Sequence, residues 1–290
     1  MRRSARRYQE NELHSYDLLL SFNHGNKSLI PNSIVKRRMP SLDRNRFSNI
    51  AHRNHAFSNP VNETKMMNVI RMVPLNPQDK VLDIGAGKCE LLIRLVENYK
   101  ISGVAIELYD GAIDEAKKKA SSRIPDGSIE FIVDDASAAV GNCEQEEFKL
   151  AVCIGSTHAL GGLESTLQHM ERLVKKDGYI FIGEGYWKQR PSEEYLQALG
   201  GASETDLKSH ADNVKVAEEL GLVPLWSYVA DENDWDEYEW LYSSSIENYC
   251  HEHPDDPDRD AMLERIRSWR RTYLQWGRDT LGFGLYLFRK

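Results

Sequence analysis

From Val69 onward, short apolar runs rich in β-branched and aromatic residues alternate with longer amphipathic stretches. The runs Lys80 to Ile84, Gly103 to Glu107, Ile129 to Val133, Leu150 to Gly155, Tyr179 to Gly183, Val223 to Val229 and Phe283 to Phe288 have the length and composition of strands. Between them, Glu90 to Tyr99, Gly111 to Ser121, Leu163 to Val174 and Glu193 to Leu199 have helical periodicity. This order predicts an α/β fold, a doubly wound sheet with helices on both faces and ligands at the carboxyl ends of its strands. Three helical stretches fall outside the rhythm: Val61 to Met72 ahead of the first strand, and Trp235 to Cys250 and Pro257 to Trp276 between the last two. The last two make residues 231–280 a candidate helical cap.

The start of the chain reads differently. No periodicity persists there and Asn, Ser, Arg and His dominate from Asn23, so residues 1–46 are expected to form a basic, poorly ordered arm and residues 47–290 the folded domain. Residues 1–53 hold eleven Lys or Arg against four Asp or Glu, which leaves −15 on the remainder of a chain whose net charge is −8. An acidic body repels phosphate backbones and so disfavours a nucleic-acid partner. With 290 residues, 41% of them hydrophobic, the chain can bury a core without disulfides or a structural metal. No run approaches the roughly 18 apolar residues of a membrane-crossing helix. The four cysteines lack Cys-x-x-Cys spacing, and no secretory signal core stands near the first residues. A cytoplasmic, reducing setting is expected, with no metal and no membrane.

The richest string is Val81-Leu82-Asp83-Ile84-Gly85-Ala86-Gly87-Lys88-Cys89-Glu90, a strand ending in an acid and then a glycine turn into a helix. Gly85 and Gly87 permit positive φ and close approach of a ligand to backbone. A dinucleotide fingerprint would put a third glycine where Glu90 stands, and that charge disfavours a pyrophosphate. Asp83 suits a positively charged amino group. Glu107, ending the second strand, can accept from both hydroxyls of a ribose, and Asp134-Asp135-Ala136 after the third can meet an adenine amine. Read singly, Glu107 is also a solvated strand-end acid and Asp135 a helix N-cap.

Taken together, these residues resemble the class I S-adenosylmethionine-dependent methyltransferases. Asp83-Ile84-Gly85-Ala86-Gly87-Lys88-Cys89 is similar to their first motif, with Cys89 in place of its third glycine. Glu107 matches the ribose acid, Asp135-Ala136 the adenine-side pair, and Leu150 to Gly155, with Ile154, the strand beneath the reacting methyl. Leu281 to Phe288 resembles the antiparallel seventh strand. The resemblance therefore implies a Rossmann-like seven-stranded sheet, S-adenosylmethionine as cofactor and a small-molecule methyl acceptor. Ser58-Asn59-Pro60 with Lys65, Cys153 to Gly162, and Gly183-Glu184-Gly185-Tyr186-Trp187 are similar to a bacterial subgroup of small-molecule type, in which the Asn-Pro segment leads into a helix that closes over the cofactor. Asn59 joins the cofactor residues on that basis.

Methyl transfer from a sulfonium is an in-line displacement that needs alignment and exclusion of water, with a base only for some acceptors. His158, in the loop where acceptors sit in this fold, and Glu184, flanked by glycines beside Tyr186 and Trp187, are the candidate catalytic groups; a structural hydrogen bond competes for each. Thr157, Tyr186, Trp187, His55 and Trp235 are candidate substrate contacts. Trp235, Tyr238 and Tyr242 share a helical face, which serves either as a cap packing on the body or as an aromatic wall for substrate. An NAD-dependent oxidoreductase, a macromolecule methyltransferase and a non-catalytic cofactor-binding protein are the alternatives.

Overall fold

The structure is a computed structural model that describes residues 42–290. Most of the expected arm lies outside the described residues. Seven strands, β1 (Lys80–Ile84), β2 (Ser102–Glu107), β3 (Ile129–Val133), β4 (Phe148–Ile154), β5 (Val174–Trp187), β6 (Val223–Val229) and β7 (Leu281–Arg289), form one sheet in the order β3-β2-β1-β4-β5-β7-β6. β1 to β5 pair in parallel, and β7 is antiparallel to both β5 and β6. The order reverses at β1 and β4, so the carboxyl ends of those strands flank a crevice.

Both faces of the sheet's centre are covered, which is why β1, β2 and β4 are buried along almost their whole length. Val81, Leu150, Val152, Phe181 and Leu285 pack against α2 (Glu63–Ile70) and α3 (Glu90–Tyr99) through Met66, Ile70, Leu92 and Val96. The alternate residues Leu82, Ile84, Cys153, Ile180 and Ile182 meet α5 (Ala136–Gly141), α6 (Leu163–Leu173) and α8 (His210–Glu219) through Val140, Leu167, Met170 and Ala217. α4 (Asp110–Ala120) follows β2 and buries Ile113 and Ala116.

A separate apolar cluster joins α1 (Arg44–Ala51) to the two long helices between β6 and β7, α9 (Glu232–Glu252) and α10 (Arg259–Thr272). Phe47, Tyr242, Ile246, Met262 and Ile266 form it. α1 begins ahead of Phe47: Asp43 accepts the Arg46 N–H as N-cap, and the Arg46 guanidinium bonds Asp256 and Asp258. Eight polar-rich residues give no helical signal of their own, and tertiary contacts hold this helix.

Candidate active site

The glycine turn after β1 is held from β2. The Gly85 N–H donates to the Ile106 carbonyl at 2.9 Å, and the Gly87 N–H to Glu107 Oε2 at 2.9 Å, while Glu107 Oε1 accepts from the Tyr109 N–H at 3.0 Å. Gly85 and Gly87 have φ of 67° and 54°, the left-handed region that glycine enters without a Cβ penalty. Cys89 also lies there, at φ 54°, so the third motif position keeps the glycine backbone despite its side chain, which is fully buried. That conformation costs a non-glycine residue about 1–2 kcal/mol.

The cleft above this turn is lined by Asp83, Gly85, Ala86, Lys88 and Glu90 on one side, Ile154 and Ser156 at the end of β4, and Ala56 to Asn59 from the segment entering α2. Asp83 is 6% exposed and accepts no hydrogen bond from the described residues. Burial, with the charge of Glu107 beside it, pushes its carboxyl up to about 7. Glu90 differs from expectation. Burial works against its charge, but Lys119, Arg94 and Arg123 outweigh that and hold the carboxyl at about 2. Three cations compensate it, so it does not present bare negative charge to a ligand.

Asn59 arrives from the other wall. Its Oδ1 stands 2.5 Å from where a Cβ on Gly155 would be, and Gly155 itself has φ 72°. The segment is anchored beyond Pro60: the Asn62 Nδ2 donates to Asp234 at 2.6 Å, and the Lys65 ammonium bonds Asp231 and Asp234 at the start of α9. The cleft rim and the β6–β7 insertion are thus tied together. Asp135 takes the N-cap of α5, accepting from the Ala138 N–H at 3.1 Å, with Ala136 buried behind it.

The candidate catalytic and substrate residues separate. Strand alternation puts Glu184 and Tyr186 on the α8 face of β5 and Trp187 on the opposite face. Glu184 is 6% exposed and accepts from the Thr157 hydroxyl at 2.5 Å and the Gly185 N–H at 3.2 Å. It does not line the cleft. Tyr186 lies over Gly282 and beside the His210 ring, and the Trp187 indole N–H donates to the Glu204 carbonyl within the core. His158 sits half-buried in a 3-10 turn over Thr157–Leu160, outside the lining of the cleft. His55 lies in the segment between α1 and α2; its Nε2–H donates to the Tyr238 carbonyl at 3.0 Å, and burial lowers its pKa. Trp235 is 3% exposed and stacks on Tyr273. Sequence reasoning missed Phe57 and Ser156 as cleft residues and Glu239 as a buried acid, because no spacing marks which loop or helix face turns inward.

Burial pushes the Glu184 carboxyl from 4.5 up to about 7, against the opposing effect of Thr157 and Gly185. Between those values the folded protein holds a proton that the unfolded chain has released, so this group makes stability fall as pH rises through that window. Glu184→Gln cannot ionise. It is expected to match the parent at about pH 5 and to exceed it by up to about 3 kcal/mol at about pH 8. Urea unfolding at the two pH values checks this, and an identical decline in both proteins would place Glu184 in a solvated environment.

A seven-stranded sheet with its last strand antiparallel, and three carboxylates at successive strand tips around a glycine turn, is the arrangement of the class I methyltransferases. Comparison with known proteins agrees. A family model described as a methyltransferase domain matches residues 75–242, and the chain belongs to that family. It is 27% identical over 246 residues to the uncharacterized protein YjhP of Escherichia coli (strain K12), covering 84% of this chain and 98% of that one. The crystal structure of YjhP superposes with a TM-score of 0.75. A SAM-dependent methyltransferase from Geobacter sulfurreducens, crystallised with S-adenosyl-L-homocysteine, is 26% identical with a TM-score of 0.76, covering 84% of this chain and 97% of that one. A Thiobacillus denitrificans counterpart, 24% identical at a TM-score of 0.75, shares the fold.

Proposed function

We propose that this protein transfers the methyl group of S-adenosylmethionine to a small-molecule acceptor, with the cofactor lying across the tips of β1 and β2. The residues present fit that cofactor. Asp83, a buried carboxylate facing the cleft with no donor from the described residues, is the observation that carries the reading, because a cationic amino group supplies what it lacks. Glu107 would take the ribose hydroxyls, the Gly85 to Gly87 backbone the close approach, and Asp135 with Ala136 the adenine side. Asn59 and Ile154 would bound the other wall. When bound, the cofactor supplies an electrophilic methyl on a sulfonium.

The chain's own task is to align the acceptor and exclude water. The segment Ala56 to Asn59 forms one wall of the cleft, and its anchors on Asp231 and Asp234 couple that wall to the insertion. Glu184 acts as a positioning residue: its carboxyl holds the Thr157 hydroxyl, and through it the turn that carries His158. His158 remains the candidate for taking a proton from the acceptor. A small acceptor is supported by the helical insertion and by the −15 charge on residues 54–290, which opposes a nucleic-acid substrate.

Calorimetric titration with S-adenosylmethionine, S-adenosylhomocysteine and NAD tests this reading. Both sulfur compounds are expected to bind and NAD is not; Asp83→Ala is expected to lose about 1–3 kcal/mol of their binding. Binding of NAD alone, or of none of the three, would overturn it. With an acceptor identified by screening, His158→Ala is expected to slow single-turnover transfer by about 100-fold or more, with cofactor affinity unchanged. An unaltered rate would leave His158 a structural residue.

A further inference from the structure

Two buried polar groups on one turn of α9 take no part in the cofactor cleft. Trp235 and Glu239 are four residues apart, hence neighbours on the helix face turned toward the body, and are 3% and 5% exposed. The Trp235 indole N–H has no hydrogen-bond partner among the described residues. Glu239 accepts one hydrogen bond, from the Trp269 Nε1–H at 2.7 Å, and no Lys, Arg or His among the described residues pairs with it. Burial pushes its carboxyl up to about 8, opposed only by Trp269. A half-satisfied buried acid beside an unsatisfied donor costs stability that a fully apolar helix face would not.

Aromatic rings of the surrounding apolar cluster pack near the pair, with Tyr195 and Tyr273 close enough for the Glu239 charge to act on their hydroxyls. Tyr273 stacks on Trp235 with centroids 6.4 Å apart. Tyr195 of α7 (Glu193–Ala198) stacks on Trp276 at 6.0 Å and meets Trp187, at the carboxyl end of β5, edge-on at 6.2 Å. Tyr273 and Trp276 belong to a π-helical turn, Tyr273–Gly277, a widened form frequent at functional sites. Ring faces and an acid with an open oxygen, which an adjacent cation would hold ionised, make a surrounding that attracts an organic cation. The indole N–H remains for an oxygen on the same molecule.

We propose that the β6–β7 insertion binds a protonated amine, its ammonium on Glu239 among the rings of Trp235, Tyr273 and Tyr195, so that the acceptor belongs to the amine-bearing small molecules. This rests on the small-molecule reading above and names the class of its substrate.

The test titrates the full chain, saturated with S-adenosylhomocysteine, with n-butylammonium and with its neutral counterpart 1-pentanol. The ammonium is expected to bind at least about tenfold more tightly than the alcohol, and Glu239→Gln to abolish that difference with S-adenosylhomocysteine affinity unchanged. Trp269→Phe leaves both carboxylate oxygens open and is expected to retain or strengthen ammonium binding. Equal affinity for the ammonium and the alcohol, or undiminished ammonium binding in Glu239→Gln, overturns the proposal. S-adenosylhomocysteine binding is read separately in the same titrations, so failure of the cofactor reading is distinguishable from failure of this one.

Discussion

Lowering the pH from about 8 to about 6 is expected to weaken S-adenosylmethionine binding by about tenfold beyond any titration of the cofactor itself, because Asp83 must be ionised to meet a cation. Burial and the neighbouring Glu107 put the Asp83 carboxyl at about 7 in the free protein. Below that value the carboxyl is protonated and offers an amino group no charge. Binding of the cation pulls the pKa down, so complex formation at about pH 7 should release a proton from Asp83. Asp83→Asn supplies the baseline: it keeps the shape of the side chain, removes its charge, and retains whatever pH dependence belongs to the cofactor. The variant is expected to bind about 1–3 kcal/mol more weakly at about pH 8 and to show the flatter profile. Calorimetry in two buffers of different ionisation enthalpy measures affinity and proton release together. Parallel profiles for parent and variant would remove Asp83 from the contact with the cofactor.

Gly155→Ala is expected to damage both stability and cofactor binding. Two separate costs arise at this position. Its φ of 72° strains any residue with a Cβ by about 1–2 kcal/mol. The added carbon would also come within 2.5 Å of Asn59 Oδ1, which must move, at a further cost of about 1–3 kcal/mol. Asn59 lines the cleft, so its displacement carries the effect from the end of β4 to the cofactor. Adding Asn59→Ala to Gly155→Ala is expected to recover the steric part of the lost stability and leave the backbone part, giving a coupling of about 0.5–3 kcal/mol between the two sites. Urea unfolding of the four proteins in that cycle gives the number. Strict additivity would show that the Asn59 contact contributes nothing to the loss.

The sheet and its ligand end were legible in the chain because burial on both faces demands an apolar centre, as in β1, and the edge strands β3 and β6 keep short runs rich in β-branched and aromatic residues although they are partly exposed; all three match the expected runs Lys80 to Ile84, Ile129 to Val133 and Val223 to Val229. β5 is longer than Tyr179 to Gly183 because its first residues, from Val174, include Lys175, Lys176 and Asp177. Those residues carry no apolar signal, and pairing with β4 and β7 extends the strand past its hydrophobic centre. α8 has no expected counterpart for a related reason, since it buries little beyond Asn213, Val216 and Ala217, whereas α5, of six residues, is marked only by its N-cap Asp135.

By itself the sequence determined the class of fold, the glycine turn with its three strand-end acids, and the acidic charge of the body, since these follow from local pattern and composition. Only the tertiary structure decided which side chains meet. Alternation along β5 separated Glu184 from Trp187, and Thr157, distant in sequence, turned that acid inward. Three cations from α3 and beyond neutralised Glu90, and the segment between α1 and α2 brought Asn59 against Gly155. The burial that raises Asp83, Glu184 and Glu239 depends on layers packed from remote segments, and so appears in no local pattern of residues.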